Sequence, residues 1–254
     1  MIKVVVNGVL GRMGSIVTCE IDAADDLTLA GAVEIAGHEG LGNTVCGVET
    51  TDDLTAALSG AAVAADFTTP ESAAAFLEAC AAAGVAAITG TTGLSHKQIT
   101  RAREISGSIP VLISPNMSLG VNLLFRITED VAKALPGFDI EIMEIHHNRK
   151  KDAPSGTAVK LAEAALKARA GANVIHGRQG MVGERAAGEI GMHSLRGGDV
   201  TGEHTIVFAG EGERVELTHR AHSRRTFATG TLCAIRFIAG KQAGFYKMSD
   251  VLGL

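Results

Sequence analysis

Residues 4–14 read VVVNGVLGRMG, an apolar run closed by Gly8, Gly11 and Gly14, with a helix-like stretch following. Three glycines between a strand and a helix permit a tight turn, close approach of a pyrophosphate to the backbone, and close packing of helix on strand. The first turn of the helix then offers free N–H groups and the positive end of its dipole to an anion. The spacing is Gly-x-x-Gly-x-x-Gly where the commoner fingerprint is Gly-x-Gly-x-x-Gly, and a glycine triplet by itself also serves as a plain β–α turn. Glu34 adds a second mark. It closes the next apolar run twenty residues beyond Gly14, where a carboxylate can accept hydrogen bonds from an adenosine ribose. Loop and acid together predict a dinucleotide site. Ile35, Ala36 and Gly37 follow Glu34 without a cation for a 2′-phosphate, and Arg12 is the sole basic residue near in sequence. NADH is therefore expected to be preferred or at least well used, with NADPH possible.

Outward from this loop, apolar runs at Ile2 to Val6, Leu29 to Glu34, Ala62 to Phe67, Val85 to Thr89 and Val111 to Ser114 read as strands. Helix-like segments lie between them, among them Arg12 to Ala24 and Pro70 to Ala83, with proline suited to a first helical turn. Such alternation predicts a parallel sheet with helices on its faces. Two polar turns, Gly90 to Gly93 (GTTG) and Ser114 to Gly120 (SPNMSLG), each follow a strand and are expected to border the nicotinamide.

The pattern changes after about Asn116. A helix from Leu119 to Leu135, a β-run from Asp139 to His146 and a helix from about Ser155 to Ala170 come first, with Ser155 as cap. Glu189 to His219 then reads as strands separated by Gly-rich turns, a hairpin spacing that suggests an open, largely antiparallel sheet. The apolar stretch Thr226 to Ala239 is expected to be a helix returning to the first domain. The fold class is thus α/β: a Rossmann-type parallel-sheet dinucleotide-binding domain, residues 1–117 and 226–254, plus an α+β substrate and oligomerisation domain with an open mixed sheet, residues 118–225.

Composition narrows the function. With 46% hydrophobic and 20% charged residues the chain of 254 is expected to fold, and its apolar N-terminal run is too short for a signal peptide. A cytoplasmic protein without a membrane span is expected. Net charge is −5, yet no Lys or Arg falls between Arg12 and Lys97 while twelve Asp or Glu do, so the later half is basic. That half could suggest nucleic acid, but the absence of Trp, 4% aromatics and the lack of a basic block speak against it. The four cysteines, Cys19, Cys46, Cys80 and Cys233, show no Cys-x-x-Cys, so no metal site is expected.

The basic half concentrates its chemistry in EIHHNRKKDAPSGTA, residues 144–158. Strand alternation points His146 and His147 to opposite sides unless the strand ends there. A histidine titrating near neutrality beside Lys150 suits general acid work on an anion. Arg149 and Lys151 read as solvated. Ser155, Gly156 and Thr157 would offer N–H groups to a carboxylate at a helix start, and the same turn is equally a simple cap.

Six ordered motifs then show a resemblance that runs nearly end to end: VNGVLGRMG, DFTTPE at Asp66 to Glu71, GTTG, SPNMSLGVN, the His-His-x-x-Lys-x-Asp-x-Pro-Ser-Gly-Thr string, and GGDVTGEHTIVFAGEGERVELTHRA with SRRTFATG. In these the chain resembles the 4-hydroxy-tetrahydrodipicolinate (dihydrodipicolinate) reductases. The resemblance implies an enzyme of lysine and diaminopimelate biosynthesis that reduces a cyclic dicarboxylate with NADH or NADPH. It implies His146 as proton donor or acceptor, Lys150 as a second proton donor, His147 as a substrate contact, and Gly156 with Thr157 on a carboxylate. Cofactor residues would be Gly8, Val9, Leu10, Gly11, Arg12, Met13, Glu34, Gly90, Thr91, Thr92, Ser114, Pro115, Asn116 and Met117. A homotetramer through the substrate domain's sheet is also implied. Ile35 departs from the basic residue frequent in members that use NADPH. Arg224 or Arg225 is a further candidate for a carboxylate, with plain solvation the other reading. An aspartate-semialdehyde or homoserine dehydrogenase is the runner-up, though no cysteine here lies in a cation-flanked loop; a nucleotide sensor without chemistry is the other alternative.

Overall fold

Val4, Val5 and Val6 are all fully buried in β1 (Ile2–Asn7), Val4 and Val6 in one core and Val5 in another. A strand covered on both faces needs an unbroken apolar run, and that is what the sequence supplies. The computed structural model describes residues 1–254, which divide into one unit of Met1–Leu119 with Arg224–Leu254 and a second of Gly120–Ser223.

In the first unit, β1 is followed by α1 (Gly14–Asp22), β2 (Leu27–Val33), β3 (Thr44–Val45), β4 (Val48–Thr51), α2 (Leu54–Ala57), β5 (Val63–Asp66), α3 (Pro70–Ala83), β6 (Ala86–Thr89), α4 (His96–Ile105) and β7 (Pro110–Ile113). The eight-stranded sheet runs β13-β7-β6-β5-β1-β2-β4-β3, where β13 is Gly244–Tyr246; all neighbours are parallel except the β3–β4 hairpin. From β1 the chain moves outward to β2 and β4, then returns to β1's other side as β5. Ligands of such sheets sit beyond the carboxyl ends of the strands at that reversal.

Val17 and Ile21 of α1 share one core with Ile235 and Ile238 of α7 (Arg225–Ile238), the late helix expected from the sequence, and with Met248 of α8 (Met248–Leu252). Phe76 and Leu77 of α3 with Ala102 and Ile105 of α4 fill the other. Caps set the ends: the Thr69 hydroxyl accepts from the Ser72 N–H ahead of Pro70, and Gly84 closes α3 in the left-handed region. Sequence reading passed over the strands β3, β4 and β13 and the helices α2, α4 and α8. Strands of two to four residues carry too little alternation to read, whereas α4 announced itself through the Ser95–Gln98 capping box.

The second unit comprises α5 (Leu119–Ala134), β8 (Asp139–His146), α6 (Gly156–Ala168), β9 (Asn173–His176), β10 (Glu189–Arg196), β11 (Glu203–Ala209) and β12 (Arg214–Arg220). Its sheet, in order β12-β11-β8-β10-β9, packs Ile140, Ile142, Ile206 and Phe208 against Leu124, Ala132, Leu161 and Ala165 of the two helices. An open mixed sheet, the expected fold class, is what forms, not the largely antiparallel one that hairpin spacing suggested. β11 and β12 form the expected hairpin, but β8 lies between β10 and β11 and pairs parallel with β10, as β9 does. The sheet is mixed. Local spacing could not reveal this because the link after β10 wraps the end of β8, with Gly197 donating its N–H to the His146 carbonyl and His147 to that of Val200.

Candidate active site

In the first unit the glycine loop leaves β1 with Gly8 at φ +80°, and its N–H and that of Val9 both donate to the Val33 carbonyl. A Cβ on Gly14 would stand 1.9 Å from the Gly8 carbonyl oxygen, so only glycine lets α1 start this close to the strand. No side chain caps α1 at Met13; Ser15 donates its N–H to the Gly11 carbonyl, and the positive end of the helix dipole remains for an anion. Glu34 reaches this loop: its carboxylate accepts from the Leu10 N–H and the Ile35 N–H, each at 3.0 Å. The Val9 side chain is wholly in the core, so what Val9 offers a ligand is backbone.

A cavity of about 410 Å³ adjoins the loop, bringing together Arg12, Met13, Gly90, Thr91, Thr92, Pro115, Asn116 and Met117. Ser114 is buried beside them, its hydroxyl donating to the Asn116 carbonyl. Sequence reading missed Phe67, Thr68 and Phe227 in the lining. It left Arg224 and Arg225 undivided; Arg224 lines the cavity, while Arg225 is paired with Glu20 at 2.7 Å. Under the two threonine loops lies Asp66, wholly buried, accepting from Asn7 Nδ2 and from the hydroxyls of Thr68, Thr89 and Thr91 at 2.6–2.8 Å. These features fit a dinucleotide: an uncapped helix start, a carboxylate on the loop, and two arginines at one cavity.

The second unit gathers its chemistry at the end of β8. Glu144, with no side-chain exposure, accepts from Arg196 Nη1 at 2.8 Å and Nη2 at 2.9 Å, from the Ser155 N–H at 3.1 Å, and lies 2.5 Å from His146 Nδ1. The imidazoles of His146 and His204 meet edge to face, centroids 5.2 Å apart, and His204 Nε2 lies 2.9 Å from the Ser155 hydroxyl. Burial pulls His146 below the ordinary imidazole range against the upward pull of Glu144. Burial takes His204 down to about 3, with the charge of His146 adding to it. For Glu144 burial works upward, but the hydrogen bonds from Arg196 and His146 outweigh it and hold the carboxyl low.

Lys150 lies near this cluster with its ammonium on both Asp152 carboxylate oxygens at 2.8 Å. His147 follows the strand's end, and its buried Nδ1 has no partner. Ser155 caps α6 by accepting from the Ala158 N–H, as expected. Its own N–H is spent on Glu144, which corrects the expectation that Ser155 presents it to a ligand. Gly156, exposed, and Thr157 occupy the first turn of α6. Sequence reading missed Glu144, Arg196 and His204. Glu144 carried a legible sign, because it stands two residues before His146 on one strand and so shares its face; Arg196 and His204 carried none.

Cys80 is buried, which pushes its thiol up, and burial raises Cys46 as well, Asp22 and Cys19 adding to it. No group of three His, Cys, Asp or Glu is placed to hold a metal ion, and no helix is long and apolar enough to cross a membrane.

Two family descriptions match the chain: "Dihydrodipicolinate reductase, N-terminus" over residues 2–117 and "Dihydrodipicolinate reductase, C-terminus" over 120–252. The 4-hydroxy-tetrahydrodipicolinate reductase of Anaeromyxobacter sp. (strain Fw109-5) is 51% identical, the match covering 100% of this chain and 98% of that one. The enzyme of the same name from Geotalea daltonii is 44% identical, with 100% of both chains covered. Among solved structures, the dipicolinate-bound dihydrodipicolinate reductase from Paenisporosarcina sp. TG-14 superposes with a TM-score of 0.81 at 24% identity over 97% of each chain, a likeness of fold.

Proposed function

Because this chain belongs to the dihydrodipicolinate reductase family, whose members are NAD(P)H-dependent oxidoreductases, we propose that it reduces 4-hydroxy-tetrahydrodipicolinate to tetrahydrodipicolinate in the diaminopimelate route to lysine. Reduced nicotinamide, when bound, supplies the hydride. Gly8 to Met13 and the start of α1 hold the pyrophosphate, Glu34 takes the ribose hydroxyls, and Gly90 to Thr92 with Ser114 to Met117 border the nicotinamide. The observation that carries the catalytic reading is the cluster at the end of β8: an imidazole held through one nitrogen by a buried carboxylate, beside an ammonium and the first turn of α6.

The substrate is a doubly charged ring, and its carboxylates need cations and N–H donors. Gly156 and Thr157 offer N–H groups at the start of α6, His147 a ring nitrogen, and Lys150 an ammonium that a substrate carboxylate can share with Asp152. Once the 4-hydroxyl and a neighbouring ring hydrogen have left as water, the ring holds a conjugated C=C–C=N system. Hydride adds at one end, and the negative charge that develops at the other takes a proton from His146, with Lys150 as a second donor. The open face of the second sheet carries Met143 at 41% and Leu195 at 49% exposure, which supports a homotetramer formed through it.

A coupled assay tests this: dihydrodipicolinate synthase, pyruvate and aspartate semialdehyde feed the purified protein while NADH absorbance is followed. NADH consumption that depends on the synthase is expected, and its absence overturns the substrate assignment. His146→Gln should lower kcat about 10²- to 10⁴-fold, the usual contribution of such an acid. Wild-type turnover by that variant removes His146 from the role.

A further inference from the structure

We propose that Glu144, held by Arg196, is a positioning residue that keeps the His146 proton on Nδ1 and so makes Nε2 the one nitrogen through which His146 exchanges protons with substrate. This rests on the catalytic reading of His146 above.

Each Glu144 oxygen is accounted for. Oε1 accepts from the Ser155 N–H and Arg196 Nη2, and Oε2 from Arg196 Nη1 and His146 Nδ1. A side chain with no exposure and four donors has nothing left to offer a substrate, so its work is done through its partners. An isolated buried carboxylate would take up a proton, but the two-pronged guanidinium keeps this one anionic. An ionised carboxylate accepts only, so the nitrogen it faces must carry the hydrogen. The tautomer follows from charge, not from packing.

Nε2 makes no hydrogen bond within the chain. It faces the backbone of Gly202, where a Cβ would approach to 2.9 Å, so glycine keeps that side open. The other titratable or charged groups facing the imidazole are His204 from β11, Arg196 from β10, and Lys150 with its partner Asp152 from the loop after β8. His204, buried, stays neutral and adds no second positive charge. The proton cycle is balanced. The imidazolium gives its Nε2 proton to the electron pair that hydride addition displaces on the substrate, the N–H electrons remain as the Nε2 lone pair, and solvent restores the proton. Throughout, Nδ1–H stays on Glu144, which is never itself protonated.

¹⁵N NMR of the imidazole in the intact wild-type enzyme reads this directly. Above the pH at which His146 loses its charge, Nδ1 should give a protonated-type shift and Nε2 an unprotonated one. The reverse overturns the proposal whether or not any variant folds. In Glu144→Gln the amide can donate to Nδ1, so the tautomer should switch, and kcat should fall by about tenfold or more with KM little changed. The limb of the pH profile on which activity is lost with rising pH should move to lower pH, since the carboxylate that favours the imidazolium has become neutral. Glu144→Asp, keeping the charge, should recover part of kcat and return the limb. Wild-type kcat and an unmoved limb in Glu144→Gln would overturn the positioning role. Full turnover of His146→Gln with the Nδ1–H tautomer intact would instead sink the catalytic reading on which this proposal rests.

Discussion

Ile35 follows the carboxylate that reaches into the glycine loop, and its side chain is 72% exposed. A 2′-phosphate placed beside Glu34 would meet an anion and an apolar side chain. kcat/KM with NADPH is therefore expected not to exceed that with NADH by more than tenfold, and Ile35→Arg should move the ratio toward NADPH by about tenfold, one bidentate phosphate contact being worth ~1.5 kcal/mol or more. Steady-state kinetics with both nucleotides checks both; an unchanged ratio in the variant would refute the reading of this position. Glu34 was legible because its distance along the chain from Gly14 is set by one β-α-β repeat. Arg224 and Arg225 were not separable in sequence. They are neighbours with the same chemistry, and only the position of Glu20 on another helix decides which is paired.

At the scale of elements, β8 alternates between two environments. Its inner residues Ile140, Ile142 and Glu144 are buried, while Glu141 on the other face binds Arg178, Arg185 and His193. Burial pushes the Glu141 carboxyl up, but hydrogen bonds from Arg178, His193 and Arg185 more than reverse this and bring it to about 2 from an ordinary 4.5. The folded state thus binds this proton less readily than the unfolded chain. Its stabilisation is complete above pH 4.5 and is lost as pH falls toward 2. Glu141→Gln should cost about 1–2 kcal/mol at neutral pH and progressively less below pH 4.5. Urea midpoints across that range measure it, and a cost that does not change with pH would refute the assignment. The elements themselves were largely readable from apolar period, Pro70, Gly84 and Ser155. The place of β8 between β10 and β11 was not, because strand order depends on which edges are free when the chain arrives, and local spacing carries no record of that.

At the scale of the whole molecule, the two units divide the proposed labour, one binding the nucleotide and the other the dicarboxylate. The second unit's sheet has helices on one face only. In register on the other lie Met143, flanked by His193 and Thr205, and Leu195 beside Ile145. Light scattering should give fourfold the chain's mass for the wild type, and Met143→Asp should lower that mass by placing a charge in the apolar centre of the proposed interface. A monomeric wild type would exclude the tetramer. By itself the sequence determined what nearest neighbours dictate: the glycine turn, the parallel β-α alternation, the helix caps, and the presence of His146 and Lys150 in one segment. Only the tertiary structure decided which charge answers which. Glu144 and Ser155 share one stretch of the chain, but Arg196 and His204 come to them from two others, and in a buried, weakly screened place the energy between such groups depends on distances in ångströms, which residue numbers do not encode.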